Sequence, residues 1–281
     1  MKLKRILSLL LCAALLLPAF INTHADNSDI RTVIGADLSS QQVDTIYDMF
    51  GLKRGGCIEM TVTNAEERSY LQGLVDDSTI GTRSISSVYF RKLPSGSGLK
   101  ITTQNITYCT PEMYANALIT AGITDAEIIV AAPFEVSGTS ALTGMFKAYE
   151  DITGKTLDKT AKQAGTQELT VAGVLGNEYD DSDTNKIVNE LKGMLDVTAK
   201  MSDSELKSKI KTISAKYGVN LSDGQLDMLV KLCRSFEKLD PDEIKQQMQK
   251  LQQTVGEYTE KASGFGEKLK RFWDWLMGLF N

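Results

Sequence analysis

The chain has 281 residues, with 31 Lys and Arg against 36 Asp and Glu and a net charge of −5, a length that suits one large or two ordinary domains. Its single histidine, His24, falls in an N-terminal segment that reads as a removable signal, and a chain without imidazole can neither run a Ser-His-Asp or Cys-His mechanism nor build a histidine zinc site. The acidic balance repels duplex nucleic acid, and no basic cluster is dense enough to displace phosphate counterions.

At the N-terminus, Lys2, Lys4 and Arg5 precede an apolar run from Ile6 to Leu17, then Pro18 and the small-x-small stretch Thr23-His24-Ala25. This is the pattern of a secretory signal peptide over residues 1–25, cleaved near Ala25, because about 12 apolar residues are too few for a span that needs roughly 20. The expected location is secreted, either extracellular or held at the cell envelope. The remaining chain keeps 28 basic against 36 acidic side chains, a balance of −8, and three cysteines, Cys57, Cys109 and Cys233. An odd number leaves at least one thiol free or bonded to another chain.

Composition divides the rest into an α/β domain over 30–165, a connecting segment over 166–200 and a helical domain over 201–281. Leu38 to Gly51 reads as a capped helix. Ile58, Met60 and Val62 alternate with polar residues, the period of a half-buried strand. Asn64 with Glu67 three positions on forms a capping box that opens the next helix. Two strand-like runs follow, Ser84–Lys92 and Leu99–Thr107, and the loop Pro94-Ser-Gly-Ser-Gly98 between them predicts a hairpin. Thr110-Pro-Glu112 starts a helix that stops at Gly122, and Glu127–Ala132 is a final strand.

The order β-α-β-β-α-β predicts an α+β fold: a ferredoxin-like sandwich with extra helices, followed by an all-α C-terminal domain. That topology sets the first and third strands side by side, so a Cys57–Cys109 disulfide is expected. Ile128 to Ala131 are apolar on both faces, which suits a strand covered on both sides, by the helix before Gly51 or the one after Gly138.

Between Val130 and Gly144 the chain is crowded with small residues. The N–H groups of Ser137, Gly138, Thr139 and Ser140 would sit at a helix N-terminus, where an anion is favoured. Packing is the competing account: a cap at Ser137 or Thr139, a core face of Leu142, Met145, Phe146 and Tyr149, and a stripe of small residues that lets a backbone approach closely. Helix caps far outnumber anion sites. The acidic loop at Glu178–Asp183 resembles a calcium loop only at its start, since Lys186 and Lys192 stand where a glycine and a glutamate are needed. No metal or cofactor is expected.

Beyond residue 200, Leu206, Ile210, Ile213 and Tyr217 form one helical seam, Leu226, Leu229, Val230, Cys233 and Phe236 a second, and Ile244, Met248, Leu251, Val255 and Tyr258 a third. Such seams fit a bundle, within the chain or in an oligomer. The last helix carries Leu269, Phe272, Trp273, Trp275, Leu276, Leu279 and Phe280 behind Lys268, Lys270 and Arg271. It suits either docking on the bundle or peripheral contact with a membrane interface.

Gly81-Thr-Arg-Ser-Ile-Ser-Ser87, Gly98 to Thr107, Met113 to Leu118, Thr120-Ala-Gly-Ile123, Ala131-Ala-Pro-Phe134 and Val136 to Gly144 resemble the domain of unknown function 1002 family, the YpuA-like exported proteins of Gram-positive bacteria. The resemblance covers most of the chain after the signal. It implies export and a shared architecture and supplies no catalytic residues. The expected role is a non-catalytic binding module for a cell-wall or envelope component. The alternative is a histidine-free hydrolase acting on envelope polymers through carboxylates.

Overall fold

A computed structural model describes residues 27–71 and 80–240, with helical positions 242–244, 246 and 249 beyond them. The expected signal peptide and terminal amphipathic helix, with Leu269, Phe272, Trp273, Trp275, Leu276, Leu279 and Phe280, lie outside the described residues.

The elements in chain order are β1 (Ile30–Gly35), α1 (Ser40–Phe50), β2 (Ile58–Val62), α2 (Asn64–Leu71), β3 (Ser87–Lys92), β4 (Leu99–Ile106), α3 (Pro111–Thr120), β5 (Ala126–Val136), α4 (Thr139–Thr153), α5 (Lys159–Gly176), α6 (Asp181–Lys192), α7 (Leu195–Thr198), α8 (Asp203–Lys216) and α9 (Asp223–Phe236). The fold is therefore α+β, and among the described residues every element after Val136 is helical. Residues 166–200, expected as a connecting segment, carry most of α5 and all of α6 and α7.

The sheet order is β2-β1-β3-β5-β4, which differs from the ferredoxin-like arrangement. β1 and β2 are parallel, with α1 between them in sequence, as are β4 and β5 with α3 between them. β3 runs antiparallel to β1 on one side and to β5 on the other. The hairpin expected between β3 and β4 does not form because β5 is inserted between them. Ile128 and Val130 are fully buried in one core, Ile129 and Ala131 pack into the other, and a strand apolar on both faces belongs in a sheet interior. The loop after β3 wraps the start of β5: Leu93 N–H donates to the Asp125 carbonyl at 3.1 Å, and Gly98 N–H to its carboxylate at 3.0 Å. β1 is the strand that sequence reading overlooked, because Arg31 and Thr32 interrupt its apolar pattern. Both are buried all the same, Arg31 through an ion pair with Asp151 at 2.5 Å.

This topology also undoes the expected disulfide. Cys57 precedes β2 at one edge and Cys109 follows β4 at the other, some four strand spacings of about 4.8 Å apart. Both are free.

On one sheet face, Val33, Val88, Phe90, Ile128 and Val130 meet Met113 and Leu118 of α3 and Leu142, Met145 and Phe146 of α4. On the other, α1 lays Val43, Ile46, Tyr47 and Phe50 over Ile30, Ile34 and Tyr89. Ser39 and Gln42 form the capping box of α1, and Gly51 ends it with φ 68°, as its sequence predicts. A separate core unites the expected seams of α8 and α9, including the buried Cys233, with α5 and α6.

α5 joins the two cores. Leu169 and Ala172 belong to the first, and Ala164, Val171 and Leu175 to the second. A Cβ at Gly165 would stand 2.4 Å from the Ala117 carbonyl oxygen of α3, so glycine permits that approach. Beside it lies a fully enclosed ion pair. Lys192 Nζ is 2.5 Å from Glu168 Oε1 and donates to Thr120 Oγ1 at 2.8 Å, while Thr120 donates to Glu168 Oε2 at 2.5 Å. Burial pushes the lysine down and Glu168 opposes it. Three helices thus share one polar junction. Removing a single partner of such a pair costs about 3–5 kcal/mol, whereas replacing both by apolar groups can be neutral. Lys192→Met is expected to lose stability of that order in urea unfolding, and Lys192→Met with Glu168→Leu to recover most of it.

Candidate functional site

The small-residue stretch begins where β5 leaves the sheet. β3 pairing ends at Ser87–Ala131, and the β4 register shifts between Gln104 and Ile106 before resuming at Ile106–Val136. Asn105 occupies that irregularity with φ 58° and donates from Nδ2 to the Ala132 carbonyl at 2.8 Å. Pro133 falls in the gap, where its missing N–H removes no registered pair. Phe134 then points outward, 41 % exposed.

Gly138, at φ 93°, turns the chain into α4 as its N-cap, with no side-chain cap bond. A Cβ there would lie 2.5 Å from Ile106 and 2.6 Å from the Tyr114 hydroxyl. That hydroxyl donates to the Gly138 carbonyl at 2.6 Å. Further along α4, Gly144 packs against Val33 and Val88, and Ala141 and Ala148 are fully buried. Close packing therefore accounts for these small residues, although the cap is Gly138 rather than Ser137 or Thr139.

The N-terminus of α4 meets a carboxyl from within the chain. Thr139 Oγ1 donates to Glu67 Oε1 at 2.5 Å, and Asn64 Nδ2 donates to Glu67 Oε2 at 3.3 Å. Glu67 is inaccessible to solvent. It reaches this position because the capping box of α2 is one residue earlier than its sequence suggests. Thr63 N–H donates to Glu66 Oε2 at 2.8 Å and Thr63 Oγ1 accepts from Glu66 N–H at 3.2 Å, which turns Glu67 inward. The signal was present as two adjacent glutamates, but only the phase of the box says which one is buried.

Burial raises the Glu67 carboxyl to about 7, against the pull of Thr139, Asn64 and the Arg68 charge. The neighbouring Cys109 thiol is pushed up to about 12, chiefly by burial, and the enclosed Tyr114 phenol also titrates well above its usual range.

Above Glu67 lies a pocket of about 40 Å³, lined by Ile80, Arg83, Ile85, Ser86 and Val136 together with Ser137, Gly138, Thr139 and Ser140. All four residues of the expected helix N-terminus are thus brought to one place. Ser86 and Ser140 share a hydroxyl–hydroxyl bond of 2.6 Å. The Arg83 guanidinium sits 6.0 Å from the centre of the exposed Phe134 ring. Small-molecule sites usually enclose 300–1,000 Å³. This one holds a few waters or one small group.

The acidic loop is otherwise employed. Asp180 caps α6, Asp183 pairs with Lys186 at 2.7 Å, and Glu178 accepts from Gln225. On β4, Thr102 and Gln104 are exposed, and Gln104 donates to the Met49 carbonyl.

The family model described as protein of unknown function (DUF1002) matches residues 34–254. The chain belongs to this family. The pocket and both sheet edges fall inside the matched region. The uncharacterized protein YpuA of Bacillus subtilis (strain 168) is 32 % identical over 96 % of this chain and 97 % of its own length. No solved structure matches.

Glu67 makes stability depend on pH. Its folded value of about 7 lies above the ordinary 4.5, so the folded state holds the proton more tightly. The resulting stabilisation is present below about pH 4.5 and is lost as pH rises to 7, to the extent of about 3 kcal/mol. Glu67→Gln carries no such dependence. In urea unfolding the variant is expected to match the parent near pH 4.5 and to exceed it by up to about 3 kcal/mol at pH 8.

Proposed function

We propose that the protein is exported and serves as a non-catalytic binding module for a cell-wall or envelope component, with the pocket between α2, residues 80–86 and α4 as its contact point. One observation carries this reading: among the described residues the pocket lining contains a single carboxyl, Glu67, and that group is engaged by Thr139 and Asn64. Hydrolysis of a glycosidic bond by carboxylates takes two of them, one on each side of the scissile bond. The absence of histidine from the chain after Ala25 supports the same conclusion. The rival reading, a carboxylate-dependent hydrolase, draws support from Glu67 itself, because a carboxyl that is half protonated near neutral pH suits a general acid. Incubation of the mature protein with purified cell wall separates the two. Retention on the wall without released fragments is the expected result, and fragments released in proportion to enzyme would establish the hydrolase.

The chain from residue 201 onward is assigned in this reading to assembly or surface attachment, with peripheral membrane contact through residues 265–281. Its support is the pattern of Trp273, Trp275 and Phe280 behind three basic residues. Flotation with liposomes is expected to fall when residues 265–281 are deleted. Equal flotation of both forms would reject the membrane contact.

A further inference from the structure

Arg83 differs from the other arginines among the described residues. Arg31, Arg54, Arg91 and Arg234 each pair with a carboxylate, and Arg68 donates to the Gly81 carbonyl. Arg83 has neither kind of partner among the described residues. Arg83 is exposed and lines the pocket, with its guanidinium carbon 6.0 Å from the centre of the Phe134 ring. Phe134 is also one of only three large apolar side chains that stand exposed among the described residues, and it is the one beside this pocket.

A guanidinium backed by an aromatic ring keeps its planar fork free for an acceptor, and a carboxylate matches that fork with two parallel bonds. Among the described residues, Arg83 is the only cation in the pocket lining. One positive charge suits a monoanion better than a doubly charged phosphate, the more so with the Glu67 carboxyl on the floor. The ligand's carboxylate therefore belongs at the rim, and its neighbouring group enters the pocket. About 40 Å³, where one water needs roughly 10–15 Å³ of such space, has room for about three waters, which suits a methyl or hydroxymethyl group and is too small for a sugar ring. Ile80, Ile85 and Val136 supply apolar wall, and the Ser86–Ser140 pair supplies hydroxyls.

We infer that this rim and pocket recognise the free carboxyl end of a peptide whose last residue has a small side chain: Arg83 holds the carboxylate, Phe134 flanks it, and the side chain fills the pocket. The inference rests on the binding-module reading and gives it a ligand class.

Calorimetric titration of the mature protein tests it with five probes: N-acetyl-alanyl-alanine, the same peptide as its C-terminal amide, N-acetyl-alanyl-phenylalanine, galacturonate and inorganic phosphate. The free acid ending in alanine is expected to bind at least tenfold more tightly than each of the other four. Arg83→Ala should lose at least tenfold of that affinity, and Arg83→Lys should restore only part of it. Because Arg83 is exposed, an unchanged circular dichroism spectrum is expected for both variants. Equal binding of acid and amide, preference for galacturonate or phosphate, or indifference to Arg83→Ala would each overturn the assignment. Wall retention by the parent that persists in Arg83→Ala would overturn this inference and leave the binding module standing. No retention by the parent would overturn the binding module itself.

Discussion

Most of this architecture follows from one constraint: β5 is apolar on both faces and must be enclosed on both. It needs a strand on each side and a helical layer above and below. β3 and β4 provide the strands, α1 covers one face, and α3 and α4 cover the other. Opening the β3–β4 pair to admit β5 leaves β2 and β4 as the two edges, and Cys57 and Cys109 consequently lie at opposite margins of the sheet. The same strand outruns β3 beyond Ala131 and rejoins β4 only at Val136. There the chain carries Pro133, exposes Phe134 and delivers Gly138 to the start of α4.

The candidate site is built at that overrun, from parts of different origin. Gly138 is dictated by backbone geometry and by the Tyr114 hydroxyl beneath it. Glu67 comes from a short helix whose capping box, Thr63 with Glu66, leaves the next glutamate facing inward. A helix start of the kind that favours an external anion meets instead a carboxyl of the protein itself, protonated by burial over much of the acid range. The pocket is accordingly small, polar at its base and positive only at its rim.

The helical layer is tied to the sheet layer through α5. Gly165 allows backbone contact with α3, and the Lys192–Glu168–Thr120 junction fixes how three helices meet. Buried charges of this kind contribute little net stability beside well-packed apolar groups, but a misplaced helix would leave one of them unpaired. That penalty restricts the alternative packings open to a set of helices with otherwise similar seams. The family match over residues 34–254 spans both layers.

The amino-acid order by itself settled what depends on neighbours close in the chain. Caps at Ser39 and Thr110, the stop at Gly51, the seams of α8 and α9 and the double-sided burial of Ile128–Ala131 are all legible because they involve contacts within a few residues or a simple period. It also marked Ser137 to Ser140 as a place where the backbone changes course. What it left undecided depends on groups far apart in sequence. The order of the strands, the separation of Cys57 from Cys109, the burial of Arg31 through Asp151 and of Lys192 through Glu168, and the meeting of Glu67 with Thr139 each join segments 24 to 120 residues apart. Only tertiary structure decides such pairings, because a charged or polar side chain reads as solvent-exposed until its distant partner is in place.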